Sequence, residues 1–296
     1  MKLTVTVITY NESAHISDAL DSVAWADEII VIDSGSTDGT AEIARAKATR
    51  VITREWHGYS EQKNFAADQA THDWVLSMDA DERVTPALAA EIRALLQKGP
   101  HAPGYRIRRV SFYLGKWIRS TDWFPDYQLR LYDRRRGRWN GMKIHESFHL
   151  SAGQPAKLHG ELEHYAYRDI SHHLAKINAY TTLIAEQWHE EGRRTNPLAM
   201  VIHPWFAFTR NYVLRAGFKD GTVGFIISLM NSYYVFLKLA KLWVRQHGIV
   251  SSAVPVRPEP RPHVASSMAD PAPRTPASAK APAAKADRAR RTAHRD

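Results

Sequence analysis

Ile29-Ile30-Val31-Ile32 constrains the fold of this chain more than any other stretch. A strand of alternating polarity leaves one face to water, but a run with no polar face must be covered on both sides. The surrounding sequence supplies the cover. Leu3-Thr4-Val5-Thr6-Val7-Ile8 reads as a strand, and Ile16, Ala19, Leu20 and Val23 then recur at helical spacing. Asp38 is placed to cap a helix through Ile43 and Ala44, and Arg50-Val51-Ile52 reads as a third short strand. Ser60 to Ala70 reads as helix and Trp74–Met78 as strand, and Thr85-Pro86 opens a helix to about Lys98, with cap and proline where a helix start wants them. Strand–helix alternation of this kind predicts an α/β fold, a mostly parallel Rossmann-like sheet with helices on both faces.

Further along, the texture changes. From Gly104 to Gly160, aromatic and Arg-rich stretches with an Asn140-Gly141 turn predict antiparallel strands and long loops. Residues 105–143 carry eleven Lys/Arg against three Asp, a density that suggests an anionic ligand. From Ile170 to about Gly248 the pattern is helical again. From Pro255 to Asp296 eight of the 15 prolines and nine Lys/Arg against four Asp/Glu occur with no hydrophobic period, which predicts a disordered basic tail. The expected organisation is therefore 1–165 catalytic, 166–250 helical and membrane-associating, and 251–296 tail. With no cysteine, disulfide scaffolds, thiolate metal sites and cysteine nucleophiles are excluded. The start of the chain lacks the pattern of a secretory signal, so a cytoplasmic location is expected.

Three segments carry chemistry, each at the C-terminal end of an expected strand, where open α/β sheets form their ligand crevice. They are Thr9-Tyr10-Asn11-Glu12, Asp33-Ser34-Gly35-Ser36-Thr37-Asp38-Gly39-Thr40 and Asp79-Ala80-Asp81-Glu82. The second has the glycines and small hydroxyl residues that let backbone amides approach a ligand. In the third, alternate carboxylates leaving a buried strand can reach a hard divalent cation that shares its oxygen ligands with a diphosphate. Asp-x-Asp alone also caps helices and fills turns; its place after the other two segments is what gives it weight.

Together with Gln62-Lys63-Asn64, these segments resemble the motif series of family 2 glycosyltransferases with the GT-A fold. Gln128-Leu129-Arg130-Leu131-Tyr132 and Gly141-Met142-Lys143-Ile144-His145-Glu146 are similar to the branch containing lipopolysaccharide core β-1,4-glucosyltransferases. The resemblance covers about residues 3–245. It implies an inverting transfer of a hexose from a UDP-sugar, UDP-glucose, with Mg or Mn, onto a lipid-linked inner-core acceptor at the cytoplasmic face of the inner membrane. A polyprenyl phosphate or a polypeptide is the alternative acceptor. By motif position, Thr9, Tyr10, Asn11 and Glu12 line the nucleotide pocket, with Asp33 and Ser34 at the base or ribose and Arg130 among the donor-binding residues. Ser34 stands where many relatives carry a second acid. Lys63 reaches the nucleotide or holds the acidic loop; Asp81 is the metal ligand, and Asp79 points to the ribose or the metal. Glu146 stands as the base that takes the acceptor hydroxyl's proton, being ionised at neutral pH. His145 is its orienting neighbour, a phosphate contact or a further metal ligand.

His145-Glu146-Ser147-Phe148-His149 also fits H-E-x-x-H, a zinc hydrolase signature that needs both histidines one helical turn apart. Asn140-Gly141 before it and Ser151-Ala152-Gly153 after it oppose a helix. A non-catalytic sugar-nucleotide binder is a further reading. Nucleic-acid binding would explain the charge but not the acidic segment, and no nucleic-acid partner is expected. Phe225–Trp243 has 14 apolar or aromatic residues in 19, near the roughly 20 that a bilayer core requires. Asn231, Lys238, Lys241 and Arg245 share one stripe of it, which favours a helix lying in the headgroup region over a span or a core helix.

Overall fold

The computed structural model describes residues 1–140 and 147–249. The first half alternates β1 (Leu3–Thr9), α1 (Ile16–Asp21), β2 (Glu28–Asp33), α2 (Thr40–Arg45), β3 (Arg50–Thr53), α3 (Tyr59–Asp68) and β4 (Trp74–Asp79). A short β5 (Glu82–Val84) leads into α4 (Pro86–Lys98). The strand-rich middle holds β6 (Gly104–Tyr113), β7 (Lys116–Trp117), β8 (Asp126–Asp133), β9 (Gly137–Trp139), β10 (Phe148–Leu150) and β11 (Ala156–His164). Three helices follow: α5 (Ile170–Glu190), α6 (Pro197–Thr209) and α7 (Gly221–Gln246).

The main sheet runs β3-β2-β1-β4-β8-β6-β11-β5. β3, β2, β1 and β4 are parallel, β8 is antiparallel to β4 and β6, and β11 is parallel to β6. Side-chain alternation builds a core on each face. On one face Leu3, Val5 and Val7 of β1, Ile29 and Val31 of β2, and Leu76 and Met78 of β4 pack against Ile16 and Leu20 of α1 and Leu88 and Ile92 of α4. On the other, Ile8, Ile30 and Ile32 meet Ala66 and Phe65 of α3. The all-apolar run at 29–32 is thus buried from both sides, as its composition demands.

Local signals worked where they were strongest. Thr85 caps α4, its hydroxyl accepting the Leu88 N–H at 3.3 Å, with Pro86 in the first turn. Asp38 was expected to be a helix cap, but Gly39 holds the N-cap position of α2 at φ 90°, a left-handed value that suits glycine. Asp38 instead accepts from the Thr40 N–H and hydroxyl, one position further out.

The polar stripe of α7 is also turned differently from its expected role. Lys241 Nζ donates to the Asn178 carbonyl and to the Thr181 and Thr182 hydroxyls of α5, and Arg245 pairs with Glu186. Asn231 bonds Asn211, and Lys238 lies over the Trp188 ring. The stripe therefore joins helix to helix, and the opposite face of α7 is the exposed one, at Phe225, Leu229, Tyr233 and Phe236.

Candidate active site

Strand register places the three motif segments side by side. Thr9 is paired with Asp33 across β1 and β2, and Ile8 with Asp79 across β1 and β4, so all three chains leave the sheet at one rim. Side chains then tie the first loop to the second. Asn11, at φ 54°, accepts the Thr37 N–H at 2.9 Å and donates its own N–H to Ser36 Oγ. The N–H of Glu12 goes to Thr40 Oγ1, and that of Ser13 to Asp38. Tyr10 is left 58% exposed above this junction. Asp33 is buried; its Oδ2 accepts the N–H groups of Gly35 and Ser36 at 3.1 Å, while its Oδ1 meets no partner among the described residues. Gln62 of α3 donates to Ser34 Oγ at 3.1 Å.

The acidic segment is braced from below. Glu82, fully buried, accepts the Asp79 N–H at 3.0 Å and takes Arg130 of β8 at 2.8 Å and Arg109 of β6 at 3.2 Å. Arg130 also reaches Asp79 at 2.7 Å, and the buried Lys63 ammonium reaches the other Asp79 oxygen at 3.0 Å while lying over the Trp139 ring. Burial pushes the Asp79 carboxyl up, but Arg130 and Lys63 outweigh it and hold the group well below the usual carboxylate range. Lys63, expected to reach the nucleotide or hold the acidic loop, is thus placed against Asp79 of that loop. Arg130, expected to contact the donor, is inside the same network.

Asp81 is free of that clamp. Its partner is His164, whose Nε2 lies 3.5 Å from Asp81 Oδ2 while Nδ1 meets Ser111 Oγ at 3.3 Å. β11 pairs antiparallel with β5, setting His164 opposite Glu82, and the Tyr165 N–H closes on the Asp81 carbonyl at 2.9 Å. Burial raises the Asp81 carboxyl, but His164 outweighs it, so the net shift is downward.

Glu12 behaves oppositely: burial first, then the charge of Asp81, push its carboxyl up to about 7 against the pull of Lys176 and Arg168. Because the folded value lies above the ordinary 4.5, its contribution to stability is fully present below about pH 4.5 and is lost as pH rises through about 7. Urea unfolding at pH 5 and pH 8 is expected to show this loss, and Glu12→Gln to remove that part of the slope. An unchanged slope in the variant would assign the pH dependence elsewhere.

The expected anionic-ligand surface between residues 105 and 143 is largely spent inside the protein. Arg108 and Arg119 pair with Glu161, Arg109 with Glu82 and Asp126, Arg135 with Asp133 and Asp73, and Arg138 with Asp68. His145 and Glu146 lie outside the described residues. His149 sits on β10, paired with Arg138 of β9, so residues 148–150 are strand rather than the helix a zinc hydrolase signature requires.

Residues 4–160 match the family model "Glycosyl transferase family 2". The chain belongs to this family. It is 30% identical over 251 residues to "Lipopolysaccharide core biosynthesis glycosyltransferase LpsC" of Rhizobium meliloti, covering 83% of this chain and 93% of that one. It is also 30% identical over 253 residues to "Uncharacterized glycosyltransferase RP128" of Rickettsia prowazekii, covering 81% and 86%. Among solved structures, the mannosyltransferase PcManGT of Pyrobaculum calidifontis, in complex with GDP-Man and Mn2+, is 15% identical over 81% of this chain and 86% of that one, with a TM-score of 0.46.

In this family 2 glycosyltransferase the donor chemistry around Asp81 suits a hard divalent cation. Among the described residues no group of three His, Asp or Glu side chains forms a closed cage. The Asp81 carboxylate leaves the remaining positions to phosphate oxygens and water, which is how Mg and similar ions are commonly held beside a phosphorylated substrate, and the His164 imidazole is a nitrogen donor of the kind transition-metal ions take. His164, Lys176 and Arg168 were not singled out by sequence reasoning. His164 lies 83 positions beyond Asp81 and belongs to no local motif; only the β11–β5 register shows it.

Proposed function

We propose that this glycosyltransferase moves glucose from UDP-glucose, with inversion, onto a lipid-linked acceptor of the lipopolysaccharide inner core. The observation that carries the reading is Asp81 with His164 at the same rim as the buried, half-unpaired Asp33. Asp33 Oδ1 and Ser34 accept hydrogen bonds from the nucleoside, and Tyr10 covers it. Lys63 and Arg130 hold Asp79, and through Asp79 the loop that carries Asp81. Asp81 and His164 would hold a Mg or Mn ion, which when bound would supply charge to stabilise the leaving diphosphate. Glu146 takes the acceptor hydroxyl's proton as that oxygen bonds the anomeric carbon on the face opposite the breaking bond to phosphate. The lipopolysaccharide acceptor is supported by the name of the Rhizobium relative, a lipopolysaccharide core biosynthesis glycosyltransferase.

The deciding experiment offers radiolabelled UDP-glucose and a panel of UDP-sugars to truncated core acceptor, polyprenyl phosphate and a polypeptide, with and without chelator. Transfer of glucose to the core acceptor, abolished by chelator and restored by Mn, is expected. Glu146→Gln should retain donor binding and lose about 10²–10⁴-fold in rate. Full activity in chelator, or in Glu146→Gln, would overturn the corresponding role.

Membrane attachment is supported by an exposed apolar face on two helices. On α6, Leu198, Val201, Ile202, Trp205 and Phe206 are spaced on one stripe and each is at least half exposed. Val213, Leu214 and Phe218 after it, and Phe225 and Leu229 of α7, extend the exposed surface. The segment Gly217–Gln246 is long and apolar enough to cross a membrane by length and composition. Its contacts with α5 and with Asn211 after α6, which use its polar stripe, support a helix lying at the surface instead. Val201→Glu with Trp205→Glu is expected to release the protein from sedimenting liposomes without changing its melting temperature by more than a few degrees; retention by liposomes would reject this face.

A further inference from the structure

Between the catalytic rim and α7 lies a cavity that the proposed reaction does not use. It has a volume of about 130 Å³ and is walled by Trp123, Tyr167, Tyr180 and Tyr234, with Lys176 and Asn231 at its polar edge. At the roughly 30 Å³ that a water occupies in the liquid, this is the space of about four waters, so it seats part of a sugar ring and leaves the rest at its mouth. Trp123 and Tyr167 are stacked at 5.3 Å, and the buried His173 packs behind both, its Nδ1 bonded to the Tyr113 hydroxyl at 2.9 Å. The wall is therefore rigid. Asn231 is oriented by Asn211, which in turn bonds Asp122 beside Trp123.

The cavity is joined to the catalytic rim by a short stretch of chain. His164 is followed by Tyr165, whose N–H meets the Asp81 carbonyl, then by Ala166, whose carbonyl accepts Lys176 Nζ at 2.9 Å, then by the wall residue Tyr167. Lys176 is close enough to both Glu12 and Asp81 to act on their carboxyls. Aromatic faces with a few fixed polar groups are the common make-up of a small-molecule site. Flat apolar walls suit the C–H face of a pyranose, aromatic hydroxyls and an amide suit its hydroxyls, and an ammonium at the edge selects for a negative charge.

We propose that this cavity binds an acidic sugar unit of the acceptor, its ring against Trp123 and Tyr234 and its carboxylate at Lys176. The assignment rests on the glycosyltransferase reading for its role, but not for its occupancy. A subsite here, on the helical side of the rim, places the acceptor's charged sugar next to the elements that carry the exposed apolar face. Nucleotide recognition is concentrated elsewhere, at Asp33 and Ser34.

The test uses full-length protein without donor, titrated by saturation-transfer NMR with methyl glucuronide and, separately, methyl glucoside. Saturable binding of the glucuronide is expected. Lys176→Gln should weaken it about tenfold, the scale of a lost charged hydrogen bond, and leave the glucoside signal unchanged. Tyr234→Ala should weaken both glycosides, and thermal melting of each variant separates loss of the site from loss of the fold. UDP at saturation should displace neither sugar. Displacement by UDP would return the cavity to the donor site, and no saturable signal up to the solubility limit would overturn the proposal, as would binding indifferent to both variants. UDP-glucose binding measured on the same sample keeps the two readings apart: its absence, with glucuronide still bound, rejects the donor assignment and not this site.

Discussion

Asp81→Ala is expected to leave a folded protein whose transfer rate has fallen about a thousandfold or more. The side chain is only partly exposed, and its described side-chain partner is His164, so its removal breaks no structural clamp. On the proposed mechanism it removes the carboxylate offered to a cation at the leaving diphosphate, worth several kcal/mol of barrier lowering, each ~1.4 kcal/mol being tenfold in rate. Initial rates with saturating donor and Mn measure the loss, and an unshifted unfolding transition confirms that the fold survives. Activity within tenfold of the parent would place the catalytic charge elsewhere. His164→Ala provides a graded comparison, expected to raise the Mn concentration needed for half-maximal rate, since it removes one of two protein donors.

Arg130→Met is expected to act on stability first. The guanidinium is 4% exposed and serves Asp79 and Glu82 together, and Glu82 is wholly buried. Removing one partner from a buried ion pair leaves an uncompensated charge, at a cost of about 3–5 kcal/mol. For a chain of this size each kcal/mol lowers Tm by about 2–4 °C, so a fall of roughly 10 °C is expected by differential scanning calorimetry. Arg109 retains a contact with Glu82 and softens the loss, which makes Arg109→Met with Arg130→Met the sharper test, with a non-additive fall. If Arg130→Met melts with the parent and loses only donor affinity, its role as a donor contact stands instead.

The two predictions differ in how far their residues could be read in advance. Asp79, Asp81 and Asp33 were legible because each follows a run of buried strand residues, and strand ends in a parallel sheet form the crevice. Thr85 and Pro86 were legible as a helix start because capping is decided within four residues. Arg130 was legible as part of a motif but not in its orientation. The resemblance put it among the donor-binding residues, whereas the β4–β8 pairing turns it inward to the acidic loop. The same holds for Lys241, whose place on a polar stripe was clear and whose partners on α5 were not.

The amino-acid order by itself determined the two-sided burial of β2, the sequence of strand-end loops and the family. All of these depend on spacings of a few residues, where backbone geometry and side-chain polarity act directly. Only the tertiary structure decided that His164 stands beside Asp81, that Arg130 and Lys63 share Asp79, and that the aromatic walls from the 121–123 turn, α5 and α7 enclose one cavity. Those meetings are made by strand register and helix packing between segments tens of residues apart. No local preference specifies them, because their free energy comes from burial and pairing across the whole assembled sheet.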